Sequence, residues 1–140
     1  TSKIIKSGKI LTIDIEKMEE VKNVTFLQCN FLDAGVEDEI MNYFGEKLDV
    51  ILSDMAADTT GNKSLDCIRT NQLCSEVIDF SSKNLKPKGV LVSKLFMGED
   101  FLEVKDLAKS RFKKVQFFKP EASRDESKET YLYCSTLKTL

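Results

Sequence analysis

The sequence predicts an α/β sandwich around a mostly parallel sheet. Apolar, β-rich runs alternate with amphipathic helical patterns, and short turns join them, as expected when helices cover a sheet. The last two β-rich runs, residues 114–118 and 129–136, are connected by about ten polar residues without a helix. We therefore expect these two strands to form an antiparallel hairpin at the edge of the sheet.

Hydrophobic periodicity and turn residues place each element along the chain. The predicted strands are residues 9–15, 24–28, 48–52, 89–96, 114–118 and 129–136. The predicted helices are residues 36–47, 64–85 and 99–112. Ser64 is a suitable N-cap for the second helix, and Pro87 and Gly89 indicate a turn after it.

Length and composition indicate one globular domain of 140 residues, with an apolar fraction of 41% and a charged fraction of 31%. No apolar run approaches the ~20 residues of a membrane helix, and the N-terminus lacks the apolar core of a signal peptide. We expect a cytoplasmic monomer without membrane contacts. The chain has no His, and its four Cys lack CxxC spacing, which argues against His-based catalysis and a zinc site. The cysteines are expected to be small buried apolar residues.

Charge is distributed unevenly between the two parts of the chain. Residues 1–82 contain 8 Lys/Arg and 15 Asp/Glu, a balance of −7, whereas residues 83–140 contain 13 and 8, a balance of +5. A basic C-terminal part is compatible with a polyanionic partner, although solvated lysines on helix faces produce the same pattern.

Polar residues at the ends of predicted strands are candidates for a binding site. The first strand ends on Asp14, the second is followed by Asn30, and the third is followed by Asp54. Ligands of open α/β sheets bind at the carboxyl ends of the strands, which favours a functional role. For Asp54, a helix cap or a solvated loop carboxylate is the alternative.

Lys94 lies among apolar residues of the fourth predicted strand. A lysine in this position is costly unless it is paired or functional, and the alternative is a side chain that extends to solvent at the strand end. Glu129 opens the last strand, where an ordinary solvent-facing edge residue is the alternative.

Several longer motifs occur in a specific order. LDVILSDMAADTTG, KPKGVLVSKLFMGEDF and FKKVQFFKPEASRDESKETYLYC, together with GKILTIDI and VTFLQCNF, closely resemble the FtsJ/RlmE family of ribosomal RNA ribose 2'-O-methyltransferases. The resemblance covers nearly the whole chain. It implies a Rossmann-like sheet and S-adenosylmethionine as the cofactor. The implied substrate is ribosomal RNA or the large ribosomal subunit, methylated on a ribose that we expect to be that of a uridine. The resemblance also implies a Lys-Asp-Lys-Glu tetrad over that ribose.

Three tetrad positions are implied by matching the motifs. The Asp of the family's SDMAPN motif corresponds to Asp54, the Lys of its central strand to Lys94, and the Glu that opens its last strand to Glu129. In this assignment Lys94 is the candidate base. Desolvation favours its neutral amine and the two carboxylates favour the ammonium, so the two effects oppose each other and the sequence does not rank them. Arg124 and Lys128 flank the loop before the last strand and are the candidate RNA phosphate contacts.

The resemblance also implies a set of cofactor contacts. Asp14 corresponds to the acid that binds the cofactor ribose, Asn30 to the acid near the adenine, and Phe31 to the residue whose backbone faces the adenine. Asp54 would also face the sulfonium and amino end of the cofactor. An amide oxygen at Asn30 can still accept a hydrogen bond from the adenine amine, although without charge.

Three features depart from the family pattern. The 140 residues contain neither the glycine-rich cofactor loop, with the strand that carries it, nor the first tetrad lysine; Asn30 replaces an acid; and Ala57-Asp58 replaces Pro-Asn. Because the strand in question is central in this fold, we expect residues 1–140 to be the C-terminal portion of a catalytic domain, and alone neither to fold stably nor to methylate RNA. A cooperative thermal transition with tight cofactor binding would contradict this expectation.

Two rival functions are compatible with parts of the sequence. Asp14 could be the acid that binds the ribose of NAD in a Rossmann dinucleotide fold, where it closes the fold's second strand. That function leaves Asp54, Lys94 and Glu129 without a role. A binding module that has lost catalysis and retains an RNA-facing surface is the other rival. Thermal protection by S-adenosylmethionine or by NAD separates the two cofactors.

Overall fold

A computed structural model describes residues 8–57, 60–98, 100–119 and 129–138 of the chain. These residues contain six strands and three helices, as predicted. The elements are β1 Leu11–Asp14, β2 Thr25–Gln28, α1 Val36–Phe44, β3 Leu48–Ser53, α2 Lys63–Asn84, β4 Leu85–Phe96, α3 Phe101–Arg111, β5 Phe112–Phe118 and β6 Glu129–Leu137. No helix among the described residues is both long enough and apolar enough to cross a membrane.

The chain divides into two compact units, and the first ends at Glu46. Within it, β1 and β2 pair in parallel, and the register ends with Asp14 opposite Gln28. Both strands therefore finish at the same edge. Helix α1 follows and ends at Gly45, whose φ of 71° is left-handed and whose N–H donates to the carbonyl of Met41. Glycine adopts this conformation without the steric cost of a Cβ.

The second unit, from Lys47 onward, contains a four-stranded sheet with the order β3-β4-β6-β5. β3 and β4 are parallel, and β6 is antiparallel to both of its neighbours. The predicted hairpin is confirmed, with β5 at the edge. Helix α2 packs on β4 and α3 packs on β5.

One face of this sheet is buried and forms the core with the helices. Alternate residues of β4 and β6 point into it, as the two-residue period of a strand requires. Three of the four cysteines are buried as predicted, and Cys29 is half-buried. The buried apolar residues of the second unit are Leu48, Cys67, Cys74, Val77, Ile78, Phe80, Leu85, Leu91, Leu95, Val104, Ala108, Phe112, Leu132 and Cys134.

The N-cap of α2 is Asn62, so the prediction of Ser64 is wrong. The Asn62 side-chain oxygen accepts a hydrogen bond from the Leu65 backbone N–H at 3.2 Å, while its backbone is extended. Ser64 is already inside the first helical turn. Both residue types are good caps, and the choice depends on where the preceding loop becomes helical.

β4 begins at Leu85, directly after α2, rather than after the predicted turn at Pro87 and Gly89. Its register with β3 jumps from Leu48 opposite Leu85 to Val50 opposite Val90, so three extra residues of β4 bulge from the ladder. Proline is tolerated at such an irregularity. A Cβ at Gly89 would lie 2.8 Å from Leu85 Cδ2 and 3.0 Å from the Lys86 carbonyl oxygen, so a larger residue at this bulge would force its neighbours to shift.

A short, nearly continuous apolar run such as that of β3 is typical of a strand covered on both faces of a parallel sheet, and this expectation is wrong. Val50 and Leu52 are 53% and 59% exposed. β3 is the edge strand of its sheet, and within the described residues its outer side pairs with no other strand. An apolar run predicts a strand, but its burial depends on which elements cover it.

Candidate active site

The register of the four-stranded sheet brings distant residues into one row. β3 ends with Ser53 opposite Ser93 in parallel pairing, so the next residues, Asp54 and Lys94, are neighbours across the strands. In the antiparallel pairing of β4 with β6, Lys94 is directly opposite Tyr131. Directly opposite residues project to the same face of a sheet, so these side chains can meet.

Lys94 contacts both of the carboxylates that the sequence assigns to its site. Its Nζ lies 3.0 Å from Asp54 Oδ1 and 3.7 Å from Glu129 Oε2. The Lys94 side chain is only 14% exposed, whereas that of Asp54 is 73% exposed and that of Glu129 is 30% exposed. The structure thus brings the three predicted catalytic residues together, and their roles in catalysis stay a prediction.

Lys94 lies on the half-exposed face of the sheet. In residues 91–95 of β4, Leu91, Ser93 and Leu95 are buried, while Val92 and Lys94 alternate with them and are partly exposed. The lysine is therefore flanked by strands on both sides, on the face of the sheet that is only partly covered. A shielded amine beside two acceptors can hold or take up a proton from a ligand on this face.

Tyr131, which the sequence analysis did not identify, forms a cluster with Asp54, Lys94 and Glu129 that we call the Lys94 cluster. The Tyr131 hydroxyl donates a hydrogen bond to Asp54 Oδ1 at 2.7 Å and lies 3.4 Å from Glu129 Oε1. Burial and then the Asp54 carboxylate raise the pKa of Tyr131, so its hydroxyl stays protonated and acts as a donor. Side chains of a strand alternate between its two faces, so the sequence ETYLYC predicts that Tyr131 lies on the same face as Glu129. This periodicity is the sequence signal that could have identified Tyr131.

Burial and hydrogen bonding act in opposite directions on Asp54. Burial raises the pKa of this carboxyl, but hydrogen bonds from Tyr131 and Lys94 outweigh burial, and the pKa lies below its ordinary value. Asp54 is therefore an anion over a wide pH range. An anion at this position can hold a lysine and attract a cationic ligand group.

Two buried polar residues of α2, which the sequence analysis did not identify, hold the end of β4 and the loop that follows β3. The Asn71 amide donates to the Phe96 carbonyl at 2.9 Å and accepts from the Phe96 N–H at 2.8 Å. The Thr70 hydroxyl accepts from the Ala57 N–H at 3.1 Å, in the loop that follows Asp54. Their spacing continues the buried stripe of the helix, and this periodicity was the signal that could have found them.

The candidate cofactor residues Asp14 and Asn30 lie at one edge of the first unit. Asp14 Oδ1 accepts from the Glu16 N–H at 3.1 Å, and Asn30 Oδ1 accepts from the Leu32 N–H at 3.0 Å. The Asp14 carbonyl also accepts from the Cys29 N–H, which joins the two strand ends.

The Asp14 and Asn30 side chains have acceptor capacity left for an adenosine at this edge of the first unit. Both side chains are exposed, and a carboxylate or amide oxygen that accepts one bond can accept another. Asp14 can bind ribose hydroxyls and Asn30 can bind the adenine amine, so the residues fit the group. Phe31 follows Asn30 and is half-buried.

Some predicted residues lie outside the described part of the chain. Arg124 and Lys128, the candidate RNA contacts, and Asp58, one of the departures from the family pattern, belong to this group. Asp14, Asn30 and Phe31 belong to the first unit, while the Lys94 cluster belongs to the second.

Residues 1–137 match the family described as FtsJ-like methyltransferase. The chain is 42% identical over 137 residues to ribosomal RNA large subunit methyltransferase E of Pelagibacter ubique, covering 98% of this chain and 68% of that protein. It is 41% identical to the protein of the same name in Rickettsia akari, covering 94% of this chain and 60% of that protein. The chain thus spans about two thirds or less of these curated relatives.

Two solved structures resemble this chain in fold. A Plasmodium falciparum crystal structure described as a ribosomal RNA methyltransferase superposes with a TM-score of 0.80 at 26% identity, over 92% of this chain and 72% of that chain. Human methyltransferase-like protein 13, solved in complex with S-adenosylhomocysteine, has a TM-score of 0.62 at 16% identity, over 91% of this chain and 61% of that chain. The second likeness concerns the fold alone.

Proposed function

This chain belongs to the FtsJ-like methyltransferase family, and from that premise we propose that it methylates a ribose 2'-hydroxyl, that of a uridine, in large-subunit ribosomal RNA. The family and the α/β methyltransferase fold predicted from sequence are confirmed. S-adenosylmethionine is the cofactor that family membership indicates, as predicted. The ribose, the uridine and the role of each residue belong to the proposal.

The observation that carries the proposal is the half-buried Lys94 held between two carboxylates. A ribose hydroxyl is a very weak acid, so its methylation benefits from a nearby proton acceptor in a partly desolvated site. Lys94 provides an amine in such a place, 3.0 Å from Asp54 and 3.7 Å from Glu129. This cluster has no evident function in an NAD-dependent enzyme.

Methylation of a ribose hydroxyl requires a methyl donor and an acceptor for the hydroxyl proton. S-adenosylmethionine supplies an activated methyl group on a sulfonium. When bound, the cofactor would transfer this methyl group to the ribose 2'-oxygen, and its sulfur would keep the electron pair of the former carbon–sulfur bond. The hydroxyl proton would pass to Lys94, which can accept it only as an amine and would then lie as an ammonium between Asp54 and Glu129.

The remaining predicted residues have supporting roles. Asp14 and Asn30 hold the adenosine, the Phe31 backbone faces the adenine, and Asp54 orients Lys94 and faces the cationic end of the cofactor. Arg124 and Lys128 contact RNA phosphates, which provides affinity without sequence readout. The partner class, ribosomal RNA or the large ribosomal subunit, is supported by the names of the relatives.

Nucleoside analysis of the product tests the proposed function. The full-length protein is incubated with ribosomal RNA or large subunits and with S-adenosylmethionine that carries a labelled methyl group, and the RNA is digested to nucleosides for mass spectrometry. We expect label on the ribose of a uridine. Label on a base would contradict the assignment, and label on another nucleoside would contradict the uridine.

A second candidate, an RNA-binding module without catalysis, is favoured by one observation. Asn30 stands where the family has an acid, and its amide oxygen already accepts the Leu32 N–H. RNA binding without methyl transfer, in a protein that S-adenosylmethionine does not protect thermally, would favour this candidate over the enzyme.

A further inference from the structure

We propose that Tyr131 is a positioning residue of the methyl-transfer site, whose hydroxyl holds the Asp54 carboxylate in place beside Lys94. The inference rests on the proposed function and extends it to a residue outside the predicted tetrad. Tyr131 and Asp54 are 77 positions apart in the chain and meet through the order of the strands.

Asp54 needs a second support because of where it lies. It follows the last residue of β3 and its side chain is 73% exposed, so water competes for both of its oxygens. A single contact from a flexible lysine leaves such a carboxylate free to rotate. The Tyr131 hydroxyl, at 2.7 Å, is the shorter of the two side-chain contacts that Asp54 Oδ1 receives.

The Tyr131 ring is itself held rigidly. β6 lies between β4 and β5, and Tyr131 is opposite Lys94 on one side and Phe118 on the other. Its ring stacks on that of Phe118, with centroids 5.8 Å apart and an interplanar angle of 21°. A donor on an interior strand defines the carboxylate position more precisely than a loop could.

Tyr131 and Lys94 donate to the same oxygen of Asp54. The tyrosine thereby takes part of the carboxylate's charge, which weakens the hold of Asp54 on the lysine proton. Tyr131 is not a rival base, because its hydroxyl keeps its proton beside Asp54 and Glu129. Among the described residues, the titratable groups that face Asp54 are Lys94 on β4 and Tyr131 on β6, with Glu129 next to Tyr131.

Tyr131→Phe in the full-length protein tests the proposal, because it removes the hydroxyl and keeps the ring that stacks on Phe118. We expect kcat to fall by about tenfold, with KM for RNA and Kd for S-adenosylmethionine unchanged. The carboxyl of Asp54, followed by NMR, should titrate at higher pH than in the wild type, since a donor that favours its anion has gone.

Tyr133→Phe is the matched control. Tyr133 is two residues further along β6 on the same face, and its ring lies 5.7 Å from the Lys114 amine rather than at Asp54. The same atom is removed from the same strand, so effects on β6 alone appear in both variants. We expect kcat and the Asp54 titration to remain at wild-type values.

Measuring both kcat and the Asp54 titration distinguishes failure of the positioning role from failure of the proposed function. An unchanged Asp54 titration, or an unchanged kcat, in Tyr131→Phe would overturn the positioning role. A wild-type protein that methylates no ribose would instead refute the proposed function. In that case the Asp54 titration would still decide whether Tyr131 holds the carboxylate.

Discussion

The Lys94 cluster and the β1–β2 edge organise their polar groups in different ways. In the cluster, side chains from the ends of three strands contact one another, with Asp54 receiving both the lysine and the tyrosine. At the β1–β2 edge, Asp14 and Asn30 each accept a hydrogen bond from a backbone N–H two residues further along the chain. One group is held by tertiary contacts and the other by local turns.

This difference suggests a division of labour within the proposed enzyme. Groups that take part in proton transfer must be oriented relative to each other before the substrate binds, because a small misplacement is costly in rate. Groups that bind adenosine need only present acceptors at one edge, and the ligand supplies the donors. Substitutions of Lys94, Glu129 or Tyr131 should therefore change kcat, whereas substitutions of Asp14 or Asn30 should change cofactor affinity.

Lys94→Ala is expected to have the largest effect. Methyl transfer should fall by about a thousandfold, because a positioned proton acceptor contributes about 10² to 10⁴ in rate, while the Kd for S-adenosylmethionine stays the same. Transfer of labelled methyl groups to RNA and calorimetric titration of the cofactor measure the two quantities.

Lys86→Ala is the control for Lys94→Ala. Lys86 is also on β4 and its amine also lies 3.0 Å from an aspartate, Asp49, but this pair is exposed and lies at the start of the strand, whereas Lys94 lies near its end. Exposed pairs contribute little, so activity should be retained. Equal losses in the two variants would show that any β4 ion pair matters and would remove Lys94 from the role of base.

Glu129→Gln should have a smaller effect on the same quantity. The Glu129 carboxylate lies 3.7 Å from the Lys94 amine, which is longer than the Asp54 contact, so its loss should lower kcat by about tenfold. Steady-state kinetics at saturating cofactor measures the change. A loss as large as that of Lys94→Ala would mean that Glu129, rather than Asp54, is the main partner of the lysine.

How much of this molecule the sequence predicts depends on whether the determining contacts are local. Strand and helix positions follow from periodicity, and the motifs identify Asp54, Lys94 and Glu129. The contacts of Tyr131 and Asn71 are not predicted from the sequence, because they depend on strand order and on helix packing, which periodicity does not specify. The start of β4 was missed for a similar reason, since pairing with β3 extends the strand through the proline and glycine that locally favour a turn.

Asp14→Asn tests the other side of the comparison. The amide keeps an oxygen that can accept from Glu16, but it loses the charge that strengthens hydrogen bonds from ribose hydroxyls. We expect the Kd for S-adenosylmethionine to rise about fivefold, with kcat unchanged at saturating cofactor. Glu16→Gln, two residues further on, is the control. A fall in kcat without a change in Kd would contradict the division between the two regions.

Asn30→Asp should produce the smallest effect, and in the opposite direction. The aspartate can still accept the Leu32 N–H, so the local turn is kept, while its charge strengthens a hydrogen bond from the adenine amine. We expect about threefold tighter binding of S-adenosylmethionine, measured by calorimetry, and the same tightening for S-adenosylhomocysteine, because both ligands carry the adenine. Asp33→Asn, on the same loop, controls for the general effect of charge near this edge. Weaker binding in Asn30→Asp would mean that the adenine does not lie against residue 30, and the proposed orientation of the cofactor would have to be reversed or abandoned.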